Sequence, residues 1–165
     1  METNLIDRQG IEKLKELASE IKICMFTTLE KGKIVSRPMT ALETDDDGNI
    51  WFFTSKDTDI GSQMREEEVT LLFASPEENS YLSVSGSYHQ VQDEEKKKSL
   101  WNPISKAWFP AGKEDPSLVM IRVCPQEASY WDSSSSKMVV FLSLLKSMVT
   151  GKQPAEGEHG TIELH

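Results

Sequence analysis

The chain has 165 residues, 38% hydrophobic and 27% charged, enough to bury one sizeable core. Eighteen Lys and Arg against 27 Asp and Glu leave a net charge of -9, which argues against a general polyanion binder but leaves room for a local pocket around a single phosphate. Cys24 and Cys124 are too few for a disulfide framework or a thiolate metal site, and a reducing compartment is the simplest reading. Met1 to Gly10 lacks the basic and apolar regions of a signal peptide. No apolar run approaches the roughly 20 residues of a membrane helix, so the expectation is a soluble, cytoplasmic chain.

Ile11, Leu14, Leu17, Ala18 and Ile21 recur at helical spacing behind a capping Asp7, predicting a helix from about Asp7 to Glu20. Ile23 to Leu29 reads as a strand, Glu30 to Lys33 as a turn, and Ile34 to Leu42 as the returning strand. Asp45-Asp46-Asp47-Gly48-Asn49 is the strongest turn signal and leads into a strand over Ile50 to Thr54. Asp57 or Thr58 caps a short helix through Ile60, Met64 and Glu67. Val69 to Ala74 has the composition of a buried strand, ended by Pro76 to Asn79. Tyr81 to Val91 alternates with period two, placing Leu82 and Val84 on one face and Ser83, Ser85 and Ser87 on the other. Asp93 caps a helix that carries Lys96, Lys97 and Lys98 and stops at Asn102-Pro103. After a loop over Ala111 to Pro116, a strand over Leu118 to Val123 is interrupted at Pro125 and resumes over Glu127 to Trp131. Ser133 to Ser136 is a linker or cap, Met138 to Val149 a last helix, and 151–165 a polar tail after a single domain over 1–150. Strands do not alternate regularly with helices, so a closed or half-closed antiparallel barrel with peripheral helices fits better than a doubly wound parallel sheet.

The familiar catalytic motifs for phosphate loops, zinc peptidases and serine hydrolases are absent from the sequence. His89, His159 and His165 form no ligand set, and a metal reading is weak. One constellation has chemistry. Ser36-Arg37-Pro38-Met39 ends one strand and Phe52-Phe53-Thr54-Ser55-Lys56 ends the next. If those strands pair, Arg37, Thr54, Ser55 and Lys56 converge as forked donors, hydroxyls and a cation suited to a phosphate, with Met39 free to meet a planar ring. Spacing alone favours a plainer reading, in which Arg37 and Lys56 pair with acids such as Asp57 or Glu43. Trp101, Trp108, Phe109, Tyr130 and Trp131 crowd the second half, either as core and dimer-interface packing or as a wall for a flat heterocycle. Lys96 to Lys98, beside Asp93, Glu94 and Glu95, reads as a paired helix surface rather than a nucleic-acid site.

These residues carry a resemblance. Met25-Phe26-Thr27-Thr28, Ser36 to Met39, Ile50 to Ser55, Tyr81 to Gly86, Leu100 to Pro103, Trp108 to Gly112, Tyr130 to Asp132 and Gly157 to Leu164 occur in an order similar to the general stress protein 26 branch of the pyridoxamine 5'-phosphate oxidase-like split-barrel proteins. The resemblance covers nearly the whole chain. It implies a mainly β fold, a six-stranded antiparallel split β-barrel of Greek-key type with flanking helices. It also implies a homodimer with cofactor sites at the subunit interface, and FMN as the ligand with FAD as the alternative. Arg37 falls at the phosphate-contacting arginine, Pro38 and Met39 at the ring-contacting segment, and Phe53 and Thr54 at the strand end, with Ser55 beside them. Lys56 is close enough in sequence to serve as a phosphate cation. Trp131 falls at the late tryptophan, supplied by the partner subunit or lying near the ring edge.

Two departures qualify the function. The family's phosphate lysine, at the start of the following helix, is Ile60 here, preceded by Asp59. A charge-assisted contact of that kind is worth about 1.5–3 kcal/mol. The substrate lysine of the true oxidases is Leu42, and their late Arg-x-His pair falls on Lys137 and Val139, which argues against pyridoxamine phosphate oxidation. The expected function is therefore an FMN-binding general-stress-type protein, with redox chemistry supplied by the flavin on an unnamed substrate. The alternative is a degenerate split-barrel dimer that binds flavin weakly or not at all and serves as a stress-linked scaffold.

Overall fold

The computed structural model describes residues 5–6, 8–62, 66–132 and 158–163. In chain order the elements are β1 (Leu5–Ile6), α1 (Arg8–Ile21), β2 (Ile23–Glu30), β3 (Lys33–Thr40), β4 (Glu43–Thr44), β5 (Ile50–Ser55), α2 (Asp59–Ser62), β6 (Glu67–Ser75), β7 (Ser80–Val91), α3 (Glu94–Leu100), α4 (Pro103–Trp108), β8 (Leu118–Asp132) and β9 (Glu158–Glu163). Asp7, the Ser133–Ser136 linker and the helix expected over Met138 to Val149 lie outside the described residues.

The sheet runs β1-β9-β8-β7-β6-β2-β3, and every pairing except β1 with β9 is antiparallel. β8 is its spine. One edge pairs with β7 along most of its length. The other edge is shared: Leu118 to Val123 pair with β5, and Glu127 to Asp132 pair with β9. The sheet curls until Phe26 of β2 meets Phe52 of β5 at 5.6 Å and Tyr88 of β7 at 5.1 Å, edge to face. β3 comes near β5 but forms no ladder with it among the described residues. The barrel is therefore split between β3 and β5, and the sheet is not closed. The pairing of these two strands, on which the Arg37–Thr54 convergence depended, is replaced by β3 on β2 and β5 on β4 and β8.

The main core lies inside the curl. Alternation turns Cys24, Phe26, Leu71, Phe73, Leu82 and Val84 inward, and α1 adds Leu14, Leu17 and Ala18 from its apolar stripe. A second, smaller cluster lies on the opposite face of β5 and β8, where Trp51 and Met120 are covered by Leu100 of α3. The Asp45 turn serves this layer too. Asp45 accepts from the Asn49 amide at 2.9 Å and from Trp51 Nε1 at 2.8 Å, so one carboxylate organises both the turn and the buried tryptophan.

Several boundaries differ from the sequence expectation for physical reasons. β8 passes through Pro125 without a break. Pro125 sits between the end of the β5 ladder and the start of the β9 ladder, so its missing N–H deprives neither neighbour of a bond. Opposite it, the β7–β8 register shifts at Ser85/Gly86, a bulge. A Cβ on Gly86 would lie 2.2 Å from the Cys124 carbonyl oxygen, so glycine alone fits. Asn102-Pro103 ends α3 but also begins α4: Asn102 accepts from the Ser105 amide at 3.0 Å, and Pro103 takes the first helical position, where no N–H is needed. Glu67, expected at the end of a helix, opens β6. Within the stretch read as a polar tail, residues 158–163 form β9, and Ile162 is fully buried.

Candidate functional site

The β2–β3 hairpin places Arg37. Its two-residue turn, Lys31-Gly32, has positive φ at both positions (50° and 75°), the geometry that closes a twisted hairpin and fixes its register. Arg37 then lies opposite Phe26, on the inward face of β3 and half-buried. Its guanidinium is held on three sides. Nη1 donates to Thr28 Oγ1 at 2.9 Å and to the Phe26 carbonyl at 3.4 Å, and Nη2 donates to Glu30 Oε1 at 2.8 Å. Thr28 Oγ1 in turn donates to Glu30 Oε1 at 3.0 Å. These bonds, from Arg37 first and Thr28 second, hold the Glu30 carboxyl below the usual carboxylate range. Arg37 thus pairs with an acid, as spacing suggested, but with Glu30 rather than Asp57 or Glu43.

Across the split, β5 carries the other expected contacts. Thr54 follows Phe52 on the inward face, the same side as Arg37 and Met39. Its hydroxyl lies 3.1 Å from Thr58 Oγ1. Thr58 bonds back to the Ser55 carbonyl, and the Asp57 amide donates to Ser55 Oγ. Lys56 is exposed. Its amide donates to the Ser117 carbonyl at 2.8 Å, and its charge helps to hold Asp115 low, behind the bonds Asp115 accepts from Ser117. Arg37 and Thr54 therefore belong to the two strands that border the split, with the Arg37 guanidinium turned onto β2. Pro38, Phe53 and Ser55 have their side chains on the other faces of β3 and β5, so only their backbone faces the same side as Arg37 and Thr54.

Ile60 is 3% exposed and belongs to the main core. α2 is pressed against the end of β5 so closely that a Cβ on Gly61 would meet the Ser55 carbonyl oxygen at 2.0 Å. The position at which the family resemblance places a lysine is thus an apolar plug here.

The aromatic set separates into distinct places. Tyr130 is fully buried. Trp101 and Phe109 pack on Phe53 at 6.1 and 6.4 Å between ring centroids, so the α3–α4 region braces the end of β5 from outside. Trp108 is 76% exposed. Trp131 is 49% exposed, on the outer face of β8 beside Tyr81. Thr54 pairs with Val119, so Trp131 lies twelve residues further along β8, on the order of 40 Å of extended strand. The outer face also exposes Ile23, Met25 and Leu72, with Met25 opposite Leu72 and Tyr81 opposite Trp131, forming one apolar patch.

The remaining candidates are structural in their contacts. His89 Nε2 lies 2.7 Å from Arg122 Nη2, and burial, then the Arg122 charge, pull its pKa below the ordinary histidine value. Lys97 and Lys98 pair with Glu94 and Glu95 one turn back, and Lys96 pairs with Glu43, so the basic run is neutralised. No group of three or more potential metal ligands occurs among the described residues, and none of their helices is long and apolar enough to cross a membrane. Glu30 and Thr28 were not singled out from sequence, although the Lys31-Gly32 turn signals a register that puts them on the face of Arg37.

Comparison with known proteins agrees with this architecture. Residues 9–155 match the family model described as pyridoxamine 5'-phosphate oxidase like. No curated protein matches the sequence. Among solved structures, one described as a general stress protein 26 from Jannaschia superposes with a TM-score of 0.79 at 23% identity, covering 94% of this chain and 96% of that one. A general stress family protein from Xanthomonas campestris is 35% identical over 78% of this chain and 89% of its own, with a TM-score of 0.64. The general stress FMN/FAD binding protein from Xanthomonas citri is also 35% identical, over 77% and 90%, with a TM-score of 0.64.

Proposed function

Because the chain belongs to the pyridoxamine 5'-phosphate oxidase-like family, we propose that it is a flavin-binding protein of the general-stress type, holding FMN between two copies of itself. The observation that carries this reading is the split between β3, which carries the inward-facing Arg37, and β5, which carries the inward-facing Thr54. Arg37, the Thr54 hydroxyl and Lys56 are the donor types a phosphate requires, and Ser55 can add its backbone, so the residues present fit the group. In this reading Pro38, Met39 and Phe53 face the isoalloxazine through backbone and edge contacts. Trp131 meets the ring from the partner copy, because its own chain holds it far along β8 from Thr54. The apolar patch of Ile23, Met25, Leu72, Tyr81 and Trp131 is the surface that two copies would bury. The flavin, when bound, supplies the redox chemistry, and the chain binds it, orients it and excludes water. Leu42 packs in the cluster beneath α3 where the true oxidases carry a lysine, which argues against pyridoxamine phosphate as substrate. Two free cysteines suit a cytoplasmic setting.

Two observations favour a second reading, in which the barrel and dimer persist with weak flavin binding. Ile60 fills the lysine position, and Glu30 already sits on Arg37. Titrating unliganded protein with FMN, FAD and riboflavin, followed by quenching of flavin fluorescence, separates the two. FMN binding well above riboflavin supports the phosphate-reading site. Equal, weak binding of all three supports the scaffold.

A further inference from the structure

We propose that Glu30 is a built-in competitor for the anion position on Arg37, and that it sets how strongly the site discriminates for a phosphorylated ligand. The proposal rests on the reading of Arg37 as the phosphate contact. Glu30 Oε1 takes a charge-assisted bond from Arg37 Nη2 at 2.8 Å and a hydroxyl bond from Thr28 at 3.0 Å. An arginine serving only the fold would be satisfied by this arrangement. An arginine awaiting a phosphate meets in it a carboxylate that must leave, or that repels a dianion arriving at the other edge of the guanidinium. Two features make the carboxylate displaceable. Glu30 is the last residue of β2, at a hairpin turn, and its side chain is 36% exposed, so it can swing into water. Arg37 keeps its bonds to Thr28 and to the Phe26 carbonyl when Glu30 leaves, so the guanidinium stays aimed. A neutral ligand such as riboflavin does not contest the position. Glu30 therefore acts on the phosphate and leaves the ring contacts alone.

The test is Glu30→Gln, which keeps an acceptor for Thr28 and removes the charge. FMN and riboflavin are titrated into the wild type, Glu30→Gln, Arg37→Gln and the double variant, with thermal unfolding confirming that each is folded. Binding of inorganic phosphate is followed in parallel by 31P NMR. The expected result is FMN affinity raised about tenfold in Glu30→Gln, the scale of a modest charge-charge term, with riboflavin unchanged and the gain absent in the Arg37→Gln background. Unchanged or weaker FMN binding in Glu30→Gln overturns the proposal, as does an equal gain for riboflavin. If no variant binds any flavin, the flavin reading itself fails, and phosphate decides the matter. Tighter phosphate binding in Glu30→Gln that depends on Arg37 sustains Glu30 as the competitor, and its absence overturns it.

Discussion

Ile60 shows how a residue can mean different things in a motif and in a fold. Set against the family pattern, it is a missing cation, and restoring lysine there looks like a repair. In the structure its side chain is in the main core, so Ile60→Lys would drive an ammonium into that apolar core. The expected outcome is a loss of about 3 kcal/mol or more in a denaturant titration, with no gain in FMN affinity. His89 gives a second residue-scale prediction. Burial and Arg122 lower its folded pKa below the unfolded value near 6.5. As pH falls through that value the unfolded chain takes up a proton that the folded chain refuses. The stabilising contribution is therefore complete above the unfolded pKa and lost as pH falls toward the folded one. Thermal unfolding between pH 7.5 and 5.5 should fall less steeply for His89→Gln, whose amide oxygen can still accept from Arg122, than for the wild type.

At the scale of elements, the sequence foretold most strands, because period-two alternation and strong turns are local signals. Ile23 to Glu30, Ile50 to Ser55 and Ser80 to Val91 stand within a residue or two of their expected ends. What it could not foretell was non-local. Pro125 looked like a break because the gap between two partner ladders that makes proline harmless is set by strands far away in the chain. β9 looked like tail because its apolar content is a single residue, Ile162, whose burial depends on β8. Both are testable. Gly86→Ala drives a Cβ into the Cys124 carbonyl and should cost roughly 2 kcal/mol or more, measured by chemical unfolding. Ile162→Ala should cost about 2–5 kcal/mol, whereas a mere tail residue would be neutral. The site was legible in its residue types but not in its pairing. Arg37 and Thr54 stand on β3 and β5, which do not pair, and the Arg37 guanidinium is already held by β2, Glu30 included.

At the scale of the whole molecule, the split barrel leaves two things unfinished in one copy: an unpaired border between β3 and β5, the strands that carry Arg37 and Thr54, and an exposed apolar face that includes Trp131. On the proposed reading, a second copy on that face covers the patch and supplies the tryptophan that meets the flavin ring. Leu72→Glu, in the middle of the patch, should shift the protein toward monomer in sedimentation and weaken FMN binding with it, because both depend on the same face. The most direct measurement mixes two defective chains, Arg37→Gln and Trp131→Ala, each purified, shown to bind FMN poorly, then exchanged into mixed dimers. If each site takes Arg37 from one copy and Trp131 from the other, a mixed dimer contains one intact site and FMN binding returns on mixing. If binding stays as poor as in either parent, the two residues do not meet the same ligand across an interface, and the shared site is contradicted.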